Sequence, residues 1–95
     1  MSELHELVYN NDTEKIINFL NNHQNPKAVI NSYNEYGKTP LHIAVKNNNQ
    51  EIANILVNNG ANTKLPDNKG QSIIWIGQQK GGNMTKITKG KRYIN

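Results

Sequence analysis

The chain has 95 residues, 35% of them apolar, with no cysteine and a net charge of +4. That length allows one small domain with a modest core, and the missing cysteines exclude disulfides, thiolate metal sites and thiol catalysis. No secretory leader is evident behind Met1 and no apolar run approaches the roughly 18 residues of a membrane span, so the expectation is an intracellular chain.

The first predicted unit covers residues 3–24. Leu4, Leu7 and Val8 share one helical face, Asp12 stands where a second helix would begin, and Phe19 and Leu20 continue an apolar stripe along it. An acidic residue suits the positive end of that second helix. Glu3, Glu6, Glu14 and Lys15 fall on the outward face. The segment His23-Gln24-Asn25-Pro26-Lys27-Ala28-Val29-Ile30 follows, and its composition predicts a loop. Residues 31–37 then form a turn in which Gly37 supplies a positive φ.

The strongest stretch comes next. Thr39 can cap a helix through its hydroxyl, and Pro40 falls at the first helical position, where a missing N–H is no loss. Leu41, Ala44 and Val45 make the apolar stripe. The run Asn47-Asn48-Asn49 interrupts it, because Asn side chains compete for backbone hydrogen bonds. Ile52, Ala53, Ile55, Leu56 and Val57 define a second, more apolar helix, and Gly60 sits where helices end in the left-handed conformation. Residues 3–24 align with 40–61 without a gap, so the two units are copies of one helix pair.

Residues 63–70 repeat the turn of residues 31–37 at an interval of 33, with Gly70 in the place of Gly37. Gln71-Ser72-Ile73-Ile74-Trp75-Ile76-Gly77 is a degraded copy of the Thr39 start, and Gly81-Gly82 breaks the helix it would open. Residues 83–95 show no helical period; they are β-branched and basic, and predict an extended tail or small hairpin. Seven acidic and five basic groups give residues 1–67 a net charge of −2, whereas residues 68–95 carry six basic groups and no acid.

The motif Thr39-Pro40-Leu41-His42-Ile43-Ala44, with Gly60-Ala61 after the second helix, resembles the ankyrin repeat. Two departures are Asn48 in place of the usual Gly and Asn34 in place of the usual Asp. The resemblance implies an all-α solenoid of two helix-pair repeats plus a truncated third, with protruding β-turn fingers. Its repeats would cover about 1–33, 34–66 and 67–82, with the basic tail at 83–95. The 37-residue offset between the helix pairs exceeds the family's usual ~33, which places the surplus in the loop after His23. Thr39, Pro40, His42, Gly37, Gly60 and Gly70 take structural roles on this view, and the His is expected to hydrogen-bond the turn backbone between repeats. Because roughly three repeats are normally needed for stability, Leu56, Ile74 and Trp75 require a cover, either the folded-back tail or a partner.

Function follows from surfaces rather than chemistry. His5 and His42 occupy equivalent repeat positions, too far apart to share a metal, and no further ligand has the right spacing. Glu35 and Asp67 fall on wet finger tips, unsuited to the pKa tuning a carboxylate pair needs, and no phosphate-cradling Gly loop is present. Neither an enzyme, a cofactor, a metal nor a small-molecule substrate is therefore expected. The resemblance implies a protein-binding adaptor whose fingers and groove carry Tyr9, Tyr33, Glu35, Tyr36, Lys38, Lys46, Asn68, Lys69, Gln71 and Gln79. Tyr33 and Tyr36 have a plainer alternative, packing against the neighbouring finger. A second reading makes the chain a small subunit of a nucleoprotein or virion, anchored by Lys86, Lys89, Lys91 and Arg92 with weak nucleic-acid contact. A third follows from the Asn, Lys and Ile bias, which resembles AT-rich genomes: a host-directed ankyrin protein of a parasite, intracellular bacterium or large DNA virus.

Overall fold

The computed structural model describes residues 3–71. Within them the chain forms five helices: α1 (Glu3–Tyr9), α2 (Thr13–Asn22), α3 (Pro26–Ile30), α4 (Pro40–Lys46) and α5 (Gln50–Asn58), and no strand. Helix α1 packs on α2 and α4 on α5, and the two pairs stack through α1 against α4 and α2 against α5. The core between them holds Leu4, Val8, Ile16, Leu20, Leu41, Ala44, Val45, Ile52, Ala53 and Leu56. Helix α4 is more enclosed than a single stripe predicts, since every residue from Pro40 to Val45 is buried. A helix apolar on most sides belongs inside a stack rather than at its edge.

Both helix pairs turn the corner the same way. In α1 the backbone N–H groups of Asn11 and Asp12 donate to Val8 and Leu7; 37 residues on, Asn48 and Asn49 donate to Val45 and Ala44. These are the paired bonds of a Schellman cap, which requires a left-handed residue just past the helix. Asn11 and Asn48 supply it, each at φ 58°, and Asn tolerates that region better than other residues with a Cβ. Asn48 therefore does the work of the family's glycine. Asp12 and Asn49 then cap α2 and α5, accepting from the N–H groups of Lys15 and Ile52. Asn49 also donates through Nδ2 to Asn11 Oδ1 at 2.9 Å, tying one corner to the other. Helix α5 ends in a third such cap, with Gly60 at φ 102° and Ala61 N–H donating to the Leu56 carbonyl at 3.0 Å.

One expectation is corrected. The segment after His23 is not a simple loop, because Pro26–Ile30 is the helix α3. Pro26 opens it with a preset φ, and Ile30, four residues on, is fully buried in the core. Asn31 fastens its end to the second repeat, donating to the Gly60 carbonyl at 3.1 Å and accepting from Asn62 N–H at 2.7 Å. The surplus residues thus pack across the end of the neighbouring helix pair. His23 is half-buried, its ring 5.3 Å from that of Phe19. Leu56 is fully buried; the expected third repeat and tail, with Ile74 and Trp75, lie outside the described residues.

Candidate functional site: the fingers and the groove

Each finger is built around one short polar side chain. Asn34 Oδ1 accepts from the N–H groups of Tyr36 and Lys38 at 2.9 and 3.0 Å. Asp67 Oδ1 does the same for Lys69 and Gln71 at 2.9 and 2.8 Å. Backbone bonds close both turns, Gly37 N–H to the Asn34 carbonyl and Gly70 N–H to that of Asp67. Asn and Asp favour such turns because the side chain substitutes for a backbone acceptor, so Asn34 replaces the family's Asp without loss of the turn.

The two fingers are joined to each other. Asn68 N–H donates to the Gly37 carbonyl at 3.0 Å. Lys38 Nζ donates to Asp67 Oδ2 at 3.0 Å and to Asn68 Oδ1 at 3.1 Å. Tyr33 donates its hydroxyl proton to the Pro66 carbonyl. Gly37 has φ 73°, and a Cβ there would collide with Asn68; Gly70 has φ 77° but open space around it. Burial pushes the Asp67 carboxyl upward, yet Gln71 N–H, the Lys38 ammonium and Lys69 N–H outweigh it and hold the group below its ordinary 3.8.

Two histidines floor the site. His5 Nε2 sits 3.0 Å from the carbonyls of both Ser32 and Lys38. Since carbonyls only accept, Nε2 carries the proton, and His5 anchors the first finger to α1. His42 uses its other nitrogen. Nδ1 accepts from Thr39 N–H at 3.2 Å and lies 2.6 Å from Thr39 Oγ1, while that oxygen accepts from His42 N–H. Among the described residues Nε2 of His42 has no partner within hydrogen-bond reach, although the Leu65 carbonyl lies near enough to favour its protonation. Burial lowers both imidazoles below 6.5, against opposing carbonyls in each case and, for His42, the Asp67 carboxylate. The expected bond from histidine to the turn is thus made by His5, and His42 is bound instead into its own helix cap.

Between α1, α4 and the first finger runs a groove of about 860 Å³. Helix α1 contributes Glu6 and Tyr9, α4 contributes Ile43 and Lys46, and the finger contributes Tyr36 and Lys38; Asn10 and Asn47 line the far end. Tyr9 and Tyr36 are 70% and 64% exposed, far more than packing residues. Tyr33 is committed elsewhere: besides its bond to Pro66, its ring stacks on His42 with centroids 6.4 Å apart. Glu35, Asn68 and Lys69 are exposed on the finger tips, and Gln71 is half-buried beneath the second finger. Gln79 and the basic residues Lys86, Lys89, Lys91 and Arg92 lie outside the described residues. Sequence reasoning missed the link from Lys38 to Asp67; opposite charges on successive fingers were its only signal. No group of His, Asp or Glu among the described residues could hold a metal ion, and no described helix is long and apolar enough to cross a membrane.

Stacked helix pairs, each followed by a finger set by one Asn or Asp and a left-handed glycine, define a helical repeat solenoid of the protein-binding kind. Residues 4–87 match the family model for ankyrin repeats in three copies, and the chain belongs to the ankyrin repeat family. It is 40% identical over 82 residues to an ankyrin repeat protein of Rickettsia bellii, covering 84% of this chain and 49% of that one. It is 33% identical over 89 residues to the Notch-regulated ankyrin repeat-containing protein of Xenopus laevis, covering 90% and 78%, and 32% identical over 71 residues to the Homo sapiens protein of that name, covering 75% and 62%. The chain thus spans about half the length of the rickettsial relative. Ankyrin repeats act as protein–protein interaction modules and typically carry no catalysis of their own.

Proposed function

We propose that this chain is a non-catalytic adaptor of an intracellular compartment that seats a segment of a partner protein in the groove between α1, α4 and the first finger. One observation carries this reading. Tyr9 and Tyr36, from different repeats, both line that groove and are both left largely uncovered. Two exposed aromatic rings on one concavity contribute little burial to the fold, and Tyr supplies large contact area at low entropic cost when a partner arrives. Finger-tip residues Glu35, Asn68 and Lys69 extend the surface outward.

Replacing Tyr36 tests the reading directly, because its ring supports nothing in the fold. Peptides enriched from a displayed random library on the immobilised full chain provide the ligands, and fluorescence polarisation the affinities. Tyr36→Ala is expected to weaken binding by about 1–3 kcal/mol with an unchanged circular dichroism spectrum. Unaltered affinity in a folded variant rejects the groove as the binding surface.

A further inference from the structure

The groove's charges are placed in a way that specifies what enters it. On α1, Glu6 and Tyr9 are one turn apart; on α4, Ile43 and Lys46 occupy the equivalent positions, 37 residues on. The four form a grid. Glu6 and Lys46 stand at opposite corners, and Tyr9 and Ile43 occupy the other diagonal. With about 5–6 Å between positions one turn apart and 8–10 Å between packed helices, the two charged corners are about 10 Å apart. Both side chains are exposed. Among the described residues neither has an ion-pair partner, the salt bridges there being Lys15 with Asp12 and Lys38 with Asp67. Lys38, the third charge lining the groove, is neutralised by Asp67. Among the described residues, one free anion and one free cation therefore face the groove, on either side of an apolar patch formed by Tyr9, Ile43 and Tyr36.

From this we infer that the groove selects an extended peptide segment in which an apolar side chain is flanked by a basic residue on one side and an acidic residue on the other. The basic residue lies over Glu6 and the acidic one over Lys46, about four positions apart with the apolar residue midway, since alternate residues of an extended chain share one face and the long charged side chains reach inward to their corners. The apolar residue enters between the two tyrosines and over Ile43. Because the corners carry opposite signs, the pairing also fixes which way the segment runs across the repeats. Charge complementarity of this kind sets partner choice and orientation more than raw affinity. A segment with the two charges exchanged meets like charge at both corners and is excluded.

The inference rests on the adaptor reading, and one experiment separates the two. A random dodecapeptide library is displayed against the full chain, against Lys46→Glu and against Glu6→Lys. The native chain is expected to enrich peptides with a basic and an acidic residue flanking an apolar one. Lys46→Glu is expected to weaken the best such peptide at least tenfold, and the same peptide with its acidic residue changed to Lys is expected to recover most of that loss. Circular dichroism verifies folding of both variants, whose substitutions lie at exposed positions. Enriched peptides without the charge pattern, or a loss that the exchanged peptide fails to restore, overturn the inference and leave the adaptor reading standing. Enrichment of no peptide at all overturns both.

Discussion

Asp67 gives the sharpest test of how the fingers are held. Its side chain is nearly inaccessible and accepts from Lys69 N–H, Gln71 N–H and Lys38 Nζ, all within 3.0 Å. Asp67→Ala removes all three acceptances and leaves Lys38 to Asn68 alone. Hydrogen bonds to a charged group contribute about 1.5–3 kcal/mol each in isolation, but Lys69 and Gln71 can recover water at an exposed turn. A net loss of about 2–4 kcal/mol is therefore expected. Asp67→Asn isolates the charge. Asn34 shows that an amide oxygen sustains the same turn, so this variant keeps both backbone acceptances and forfeits only the ionic part, about 1 kcal/mol. Urea unfolding followed at 222 nm measures both. A depressed carboxyl pKa adds a check with a definite sign. The folded state binds its proton less readily than the unfolded chain, so the ionic contribution is fully present above pH 3.8 and declines as pH falls through the lower folded value. Wild type and Asp67→Asn should then converge in strong acid. If Asp67→Asn proves as destabilising as Asp67→Ala at pH 7, the turn-forming role assigned to Oδ1 is wrong.

Three further outcomes are expected. Asn48→Gly should leave stability unchanged or raise it slightly, since φ is 58° there, whereas Asn48→Val should lower it by about 1–2 kcal/mol; equal urea midpoints for the two would refute a left-handed corner. Gly37→Ala should cost about 2–4 kcal/mol, strain plus collision with Asn68, against about 1–2 kcal/mol for Gly70→Ala, where only strain applies. Thermal melts that rank the two glycines the other way would dissolve the finger-to-finger contact. Between pH 7.5 and 5.5 the melting temperature should fall: burial favours neutral His5 and His42, so the unfolded chain takes up protons first, near 6.5, and the loss levels off below the folded values. A flat profile across that window would show that the two rings are more hydrated than their burial implies.

Most of the helical stack was legible because its signals are local. Thr39-Pro40 marks a helix start whatever surrounds it, and the apolar spacing of residues 52–57 marks a buried face. The equivalence of residues 3–24 with 40–61 carried the first pair, although it lacks that start. What escaped was tertiary. Pro26 could open a helix, but five residues are too few for a period to show, and only the core position of Ile30 makes α3 worth forming. The two histidines were equal in sequence yet differ in use, because Thr39 occupies Nδ1 of His42 while the first finger occupies Nε2 of His5. For the groove, sequence spacing grouped Tyr9, Tyr36, Lys38 and Lys46, and all four line one concavity. It could not say that Lys38 was already spent on the next finger, and for Tyr33 it left groove and neighbouring finger as alternatives, of which the second is the one found.

That commitment bears on binding. A finger standing alone is a solvated turn, and ordering it against a partner costs entropy at the moment of association. Here the first finger is anchored below by His5 and sideways by Asn68, Lys38 and Tyr33, through bonds that all exist before any partner arrives. Tyr36 is presented from this fixed loop, and Tyr9 from the last turn of α1. Both rings therefore hold their places on rigid supports, and little beyond their own side-chain freedom remains to be lost on contact. Cutting the link between fingers at Lys38, which itself lines the groove, should then weaken binding with both tyrosines left in place. Lys38→Met retains the aliphatic stem but removes the bonds to Asp67 and Asn68. It should raise the dissociation constant of a groove-binding peptide several-fold while Tyr9 and Tyr36 remain in place. An unchanged constant in a folded Lys38→Met chain would mean that the fingers need no bracing to hold their rings.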